Sequence, residues 1–163
     1  WNGFEHNAMF INLPNKGFLN ASFLLGTAFE YDSRAVIAAD LDENGTQDLI
    51  VIEYQSSTMK QRMHMYRNHG NPQHSWIGIK LKNGPGISPI GSVISVKSNK
   101  RKWEKSIVNG DGFTSQGPAI AHFGLGQINN VSEIEVRWPT GEVQTLQNPK
   151  INHYHLIEYK KTR

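Results

Sequence analysis

Short apolar runs separated by glycine, proline and asparagine recur along the whole chain, and they restrict its fold more than any other feature. Residues 92–96 and 133–138 alternate apolar and polar side chains, which is typical of strands with one buried and one solvated face. No stretch repeats apolar residues at the spacing of an amphipathic helix. Many short strands joined by turns indicate an all-β sandwich, barrel or propeller. We predict strands over residues 8–12, 35–39, 48–54, 63–68, 75–82, 90–97, 102–109, 119–123, 132–138, 142–146 and 153–159.

A polar, Gly- and Pro-containing segment at residues 69–74 divides the chain into two parts of opposite charge. Residues 1–70 carry a net charge of −3 and residues 71–163 a net charge of +6. A chain of 163 residues is long enough to bury a real core, and it contains no cysteine for a disulfide or thiolate site. We therefore predict two β units, 1–70 and 71–163. Because the chain begins without Met inside structured-looking sequence, we expect it to be part of a longer protein.

An acidic loop between two apolar, β-branched runs is the strongest candidate site. Alternate oxygen-bearing side chains surround Gly45, which can turn the backbone sharply because glycine tolerates positive φ. Hard cations need several oxygen ligands at roughly 2.3–2.6 Å, and such a loop supplies them. The donors contain no thiol or imidazole, so calcium is the expected ion. The predicted metal ligands are Asp40, Asp42, Asn44, Thr46 through its backbone carbonyl, and Asp48.

This loop is not an EF-hand. The twelfth position from Asp40 is Val51, where an EF-hand requires a bidentate Glu, and the flanking runs indicate strands rather than helices. The alternative is an acidic hairpin turn without an ion, since Asp, Asn and Gly are also common turn residues. Three carboxylates this close would repel one another without a counterion, and this favours the cation site.

Several segments together resemble a known arrangement, an FG-GAP (VCBS-type) propeller repeat followed by an ASPIC/UnbV domain. The repeat part is similar in MFINLPNKGF, AVIAADLDENGTQDLIVIEY and MYRNHG. The second part is similar in HSWIGIKL, GSVISVKS, NGDGFTSQGPAIAHFGLGQ, VSEIEVRWPTGEVQTL and HYHLIEY. The resemblance implies a partial propeller blade over residues 1–70, packed on an antiparallel β-sandwich or barrel domain over 71–163. A single blade cannot bury both of its faces, so this half is expected either to pack on the second domain or to be the end of a larger propeller.

The resemblance also implies a secreted or cell-surface protein whose repeat loop binds calcium. That role falls on the five loop residues named above. One departure is Thr46, where the family often has a further acidic residue, but only its carbonyl is needed.

Other residues with reactive or metal-binding side chains give weaker signals. His153 and His155 point the same way on one predicted strand, but a two-His metal site needs a third ligand. Ser115, His122 and Asp111 are close in sequence, yet nothing fixes the geometry that catalysis requires. We expect His122 to fix a turn, and we expect no enzymatic activity.

A basic cluster and several aromatic residues raise the possibility of polymer binding. The cluster consists of Lys97, Lys100, Arg101, Lys102 and Lys105. It lies between two predicted strands, which favours a solvated hairpin tip over nucleic-acid binding, because Trp103 is the one aromatic residue there. Phe113, Trp103 and Trp138 would suit a sugar-binding face or a buried β core equally well.

The sequence thus predicts an extracellular, calcium-binding and non-catalytic adhesion or interaction module without a membrane span. Its partner would be an extracellular protein or glycan of unknown identity. The alternative is a carbohydrate-binding module or an accessory domain of a polysaccharide-acting enzyme.

Overall fold

The computed structural model describes residues 5–99 and 101–161, which form β-strands and no helix. The strands are β1 (Phe10–Leu13), β2 (Gly17–Asn20), β3 (Asp32–Ala39), β4 (Asp48–Gln55), β5 (Lys60–Tyr66), β6 (Ser75–Lys82), β7 (Val93–Lys97), β8 (Lys102–Ser106), β9 (Ile120–Gly126), β10 (Glu133–Arg137), β11 (Val143–Gln147) and β12 (Tyr154–Glu158). The all-β prediction is confirmed for these residues. The described residues contain no helix that is long and apolar enough to cross a membrane.

The N-terminal part forms two small antiparallel sheets. β1 and β2 make a two-stranded ribbon, and β3, β4 and β5 make a three-stranded sheet in sequence order. Within that sheet Ala39 pairs with Asp48, so residues 40–47 form the loop of a β-hairpin. The predicted strand–loop–strand arrangement of the acidic segment is confirmed.

The C-terminal part forms two further open sheets, one with strand order β11-β10-β7-β8 and the other with order β12-β6-β9. All pairs in the first sheet are antiparallel, and β6 is antiparallel to β9. β12, however, lies parallel to β6, so the prediction of a wholly antiparallel domain is wrong at this pair. Parallel neighbours need a long connection, and here the chain from β7 to β11 separates the two strands.

One apolar core joins both C-terminal sheets. Its fully buried members come mainly from the inward-facing positions of β6, β7, β9 and β10, as period-2 alternation requires. Each fully buried Ile or Val stabilises the fold by about 1.5–3 kcal/mol. The buried core residues are Ile77, Ile79, Leu81, Ile94, Val96, Ile107, Ala121, Phe123, Leu125, Val131, Ile134, Val136 and Trp138.

Both β7 and β10 were predicted to have one buried and one solvated face. The burial of the side chains confirms this for β10 but not for β7. In β10, Ile134 and Val136 are buried while Arg137 is exposed. In β7, Ser95 is buried as well, and its hydroxyl donates to Glu104 Oε2 at 3.0 Å. Ser95 lies opposite Glu104 of β8 and Glu135 of β10, so long neighbouring side chains flank it on the second face of β7.

Most predicted strands are present with ends shifted by a few residues, and β6 has the predicted ends. β2 was not predicted. The sequence feature that indicates this strand is the LPNKG turn between β1 and β2. Asn15 and Gly17 both adopt positive φ there, as Asn and Gly do at small cost. The basic cluster lies on the predicted hairpin, since Lys97 pairs with Lys102 across β7 and β8. Lys100 lies outside the described residues.

The two parts of the chain touch through their loops and edges. The Thr114 and Ser115 hydroxyls donate to the carbonyls of Arg34 and Val36 on β3, at 2.9 and 3.1 Å. Strand pairing does not cross residues 67–74 in the described chain. The division into two units at residue 70 remains a prediction.

Candidate metal centre

Three carboxylates converge where the 40–47 loop meets β4. One oxygen each of Asp40, Asp42 and Asp48 lies within 4.8 Å of the other two. Oxygens on opposite sides of a calcium ion are about 4.6–5.2 Å apart, because each lies 2.3–2.6 Å from it. The spacing and the hard-oxygen chemistry of this donor set therefore fit a calcium ion. Asp48 is 3% exposed, Asp40 is half-buried and Asp42 is exposed. The cluster of three carboxylates is therefore open to solvent on the side of Asp42.

Backbone amides hold two of these carboxylates in place. Asp40 accepts from the amides of Asn44 and Gly45 at 3.0 and 2.8 Å, which winds the loop around its side chain. Asp48 accepts from Leu41 N at 3.2 Å and from Asn68 N at 2.7 Å, which ties the loop to the segment after β5. The carboxylates are thus held by local structure and do not depend on exposed rotamers.

Asn44 and Thr46, the other two predicted ligands, interact with each other. Asn44 Oδ1 accepts from the Thr46 amide at 2.8 Å and lies 2.6 Å from the Thr46 hydroxyl. The Thr46 hydroxyl is also 2.6 Å from the Asn68 carbonyl oxygen. These contacts shape the turn around Gly45, whose φ is 89°. The ligand roles of Asn44 and Thr46 remain predictions.

Arg67 is a charge partner that sequence reasoning missed. Its Nη2 donates to Asp42 Oδ2 at 2.5 Å. Desolvation acts to raise the pKa of the Asp42 carboxyl, but the hydrogen bond and charge of Arg67 hold that pKa below its ordinary value. The guanidinium therefore neutralises part of the acidic group from outside the loop.

Aromatic residues of the C-terminal sheet β12-β6-β9 cover the other side of the loop. The Tyr154 hydroxyl donates to Asp40 Oδ2 at 2.6 Å, and His122 Nε2 donates to the Gly45 carbonyl at 3.0 Å. The Trp76 ring stacks on His122, with centroids 5.5 Å apart and planes 13° apart. The Trp76 ring also lies against Gly45, where a Cβ would be 1.9 Å from its Nε1. Gly45 is required here by both its φ and this close approach.

The environment shifts the pKa of both side chains that donate to the loop. Burial, the hydrogen bond to Asp40 and the charge of Asp40 raise the pKa of Tyr154 above its ordinary value. Burial lowers the pKa of His122 below its ordinary value, despite the hydrogen bond to Gly45. Both groups are therefore held in their neutral, hydrogen-donating forms at pH 7. His122 fixes a turn as predicted, but it is the turn of the acidic loop rather than the one beside it in sequence.

A further ion pair and a cleft complete the surroundings of the loop. Lys80 Nζ donates to Glu43 Oε1 at 2.6 Å and lies 4.5 Å from the centre of the Tyr154 ring. The cleft has a volume of about 490 Å³ and runs between the loop and β9, with Lys105 and Asp111 on its far wall.

The other predicted candidates do not assemble into a site. Ser115 bonds to Val36, Asp111 accepts from the Gly117 amide at 3.1 Å and His122 bonds to Gly45, so these three side chains serve separate contacts. Among the described residues, no further group of three His, Asp or Glu side chains has metal-binding spacing, including around His153 and His155.

The aromatic residues considered for sugar binding do not share one surface. Trp138 is buried in the core at 2% exposure, whereas Phe113 is 80% exposed. Trp103 packs under the Arg101 guanidinium at 5.3 Å. These positions do not favour a flat stacking platform.

The sequence of the C-terminal half matches a known family. A family model described as "ASPIC and UnbV" covers residues 82–163, which is half of the chain. The chain belongs to the ASPIC and UnbV family. The predicted resemblance is confirmed for this half, while the FG-GAP/VCBS assignment of the N-terminal half remains a prediction. Both His122 and Tyr154 lie within the matched residues.

Relatives from three vertebrates share detectable similarity with this ASPIC and UnbV chain. It is 27% identical over 121 residues to cartilage acidic protein 1 of Mus musculus and of Homo sapiens, with 72% of the chain covered. It is 28% identical over 123 residues to cartilage acidic protein 1 of Xenopus tropicalis, with 74% covered. The matched part spans 18% of the length of each relative. Because more of the chain is covered than residues 82–163, the similarity extends into the N-terminal half.

Proposed function

We propose that this chain is an extracellular, calcium-binding and non-catalytic interaction module. The observation that carries the proposal is the convergence of Asp40, Asp42 and Asp48 within 4.8 Å on a hairpin loop. A bound calcium ion would neutralise the three carboxylates. Asp40 and Asp48 would hold it from the two ends of the loop, and Asp42 from the exposed side.

The choice of calcium rests on the donor set. The converging side chains offer carboxylate oxygens only, and the chain has no cysteine. Transition metals prefer sites with imidazole or thiolate ligands, whereas calcium accepts six to eight oxygens in flexible geometry. The exposed position of Asp42 leaves room for water ligands, which suits calcium at extracellular concentrations.

The N-terminal sheets are proposed to form part of an FG-GAP/VCBS-type propeller. Two features support this proposal: the β3-β4-β5 sheet with its acidic loop, and the large apolar side chains that the N-terminal part exposes. Phe18, Phe23, Leu24 and Met63 are 71%, 74%, 82% and 61% exposed. Several large exposed apolar side chains in one part of a chain favour burial against a partner. We propose neighbouring propeller repeats as the partner of this surface.

The proposed extracellular placement rests on the relatives. They are named cartilage acidic protein 1, and the reference to cartilage in this name supports a secreted or cell-surface location. The partner is proposed to be an extracellular protein or glycan. The non-catalytic role is supported by Ser115, His122 and Asp111, which bond to separate partners.

Calorimetric titration of calcium into chelator-stripped protein tests the proposal. The wild type should bind one calcium ion per chain, and Asp42→Asn should bind roughly tenfold more weakly, because affinity follows the number of charged ligands. Asp32→Asn makes the same chemical change outside the loop, where Asp32 pairs with Arg34. It should bind calcium like the wild type. Equal binding by Asp42→Asn, or no binding by the wild type, would contradict the proposal.

A further inference from the structure

We propose that Tyr154 is a positioning residue of the calcium site and that the ion thereby fastens the acidic loop to the C-terminal sheet. This inference rests on the proposed function, because it assigns the contacts that control affinity at that same site. It adds that one of the donors that orient Asp40 comes from a residue 114 positions away in sequence.

The Tyr154 hydroxyl fixes the orientation of the Asp40 carboxylate. Asp40 Oδ2 accepts from Tyr154 at 2.6 Å and from the Gly45 amide at 2.8 Å, while Oδ1 accepts from the Asn44 amide at 3.0 Å. Two of these donors belong to the loop and move with it. Tyr154 is the donor on a separate sheet, so it fixes the carboxylate relative to the C-terminal part.

The Tyr154 ring is itself held firmly. Tyr154 is paired with Gly78 across the parallel β12–β6 ladder, and a Cβ at Gly78 would lie 2.1 Å from the ring. Trp76 packs on one side with centroids 4.8 Å apart, and Lys80 Nζ lies 4.5 Å from the ring centre. The missing side chain at Gly78 creates the space that the ring fills.

A second pair of contacts joins the same loop to the same sheet. His122 on β9 donates to the Gly45 carbonyl, and the Trp76 ring of β6 packs against Gly45. All three strands of the sheet therefore contribute an aromatic side chain to the loop. If the loop moves when an ion binds, these three side chains must move with it or lose their contacts with the loop.

Hydrogen bonds to metal ligands strongly affect metal binding. Loss of such an outer partner typically weakens metal affinity by about 10–100-fold, because the ligand is no longer oriented. Coupling between two events is reciprocal. Calcium binding should therefore strengthen the contact between the loop and the sheet by the same factor that the contact adds to calcium affinity.

The test compares two tyrosine variants of the full chain. Tyr154→Phe removes the hydroxyl and keeps the ring packing. Tyr159→Phe is the matched control, because its hydroxyl also donates to a carboxylate, Glu142 Oε1 at 2.9 Å, away from the loop. Calorimetric titration should show roughly tenfold weaker calcium binding for Tyr154→Phe and wild-type binding for Tyr159→Phe. A merely structural role would lower the melting temperature in chelator equally in both variants without changing calcium affinity.

Hydrogen exchange on the wild type gives a second measurement that needs no variant. Calcium should slow amide exchange in β6 and β12 as well as in the loop. Protection confined to residues 32–55 would overturn the inference, as would wild-type calcium affinity in Tyr154→Phe. Absence of calcium binding by the wild type would instead overturn the proposed function, and this inference with it.

Discussion

Arg67 Nη2 lies 2.5 Å from Asp42 Oδ2, so a cation from the segment after β5 contacts the most exposed of the three converging carboxylates. The acidic loop thus has a resident positive charge before any metal binds. Arg67 is 63% exposed and can swing away into water, unlike the backbone amides that hold Asp40 and Asp48. A calcium ion and Arg67 compete for the same carboxylate.

Removal of this competitor should raise calcium affinity. We expect Arg67→Gln to bind calcium roughly fivefold more tightly than the wild type, because like charges a few ångströms apart repel even in water. Calorimetric titration at low ionic strength measures the change, since salt screens the effect. Arg137→Gln is the control, because Arg137 is equally exposed and lies near Glu135 in another sheet. Weaker calcium binding by Arg67→Gln would contradict this expectation. It would show that Arg67 stabilises the loop and does not compete with calcium for Asp42.

Gly45 should tolerate no side chain. Gly45→Ala places a Cβ 1.9 Å from Trp76 Nε1 at a backbone φ of 89°. Gly141→Ala introduces the same atom at a φ of 95° with nothing within 4 Å, so the difference between the two variants isolates the contact with Trp76. We expect Gly45→Ala to lower the free energy of unfolding by about 2 kcal/mol more than Gly141→Ala does. Urea denaturation in chelator measures both, and equal losses would contradict the close packing of Trp76 on the loop.

Asp48 should matter for folding even without calcium. It is 3% exposed and accepts from the amides of Leu41 and Asn68. In Asp48→Asn one acceptor oxygen is replaced by a donor, which leaves a backbone amide poorly paired and should cost about 1–3 kcal/mol of stability. Denaturation in chelator tests this, with Asp111→Asn as the control at an exposed carboxylate that accepts from one amide. A loss no larger than that of the control would show that these hydrogen bonds contribute little.

His122 should make stability depend on pH. Burial lowers its pKa from the ordinary 6.5, so the unfolded chain binds a proton at this residue more readily than the folded one. The folded state therefore loses stability as the pH falls from about 6.5 through the lowered pKa, and the effect is absent at higher pH. His122→Gln keeps a donor for Gly45 but does not titrate. In chelator, the wild type should lose more unfolding free energy than His122→Gln between pH 7.5 and pH 5, and equal losses would contradict this account.

Local features of the fold were predictable from the sequence. The β4 strand and the hairpin before it follow from a β-branched run next to Asp, Asn and Gly residues, whose preferences act within a few positions. The convergence of Asp40, Asp42 and Asp48 follows from the same short loop. β2 is the exception, since its turn signal was present but its four residues are all exposed and show no face pattern.

Contacts between distant parts of the chain were not predictable. The parallel pairing of β12 with β6 depends on how two sheets share a core, and alternation within each strand carries no information about strand order. The bond from Tyr154 to Asp40 joins residues 114 positions apart. Gly78 gave a possible signal, because a glycine inside a strand often marks a close approach by another group. That group, the Tyr154 ring, is identified only by the folded structure.

The most direct test of the central claim is a crystal structure of the protein grown with calcium and measured for anomalous scattering. The account predicts one anomalous peak at about 2.3–2.6 Å from oxygens of Asp40, Asp42 and Asp48. A crystal grown at a saturating calcium concentration that shows no peak there, with Arg67 still bonded to Asp42, would contradict it.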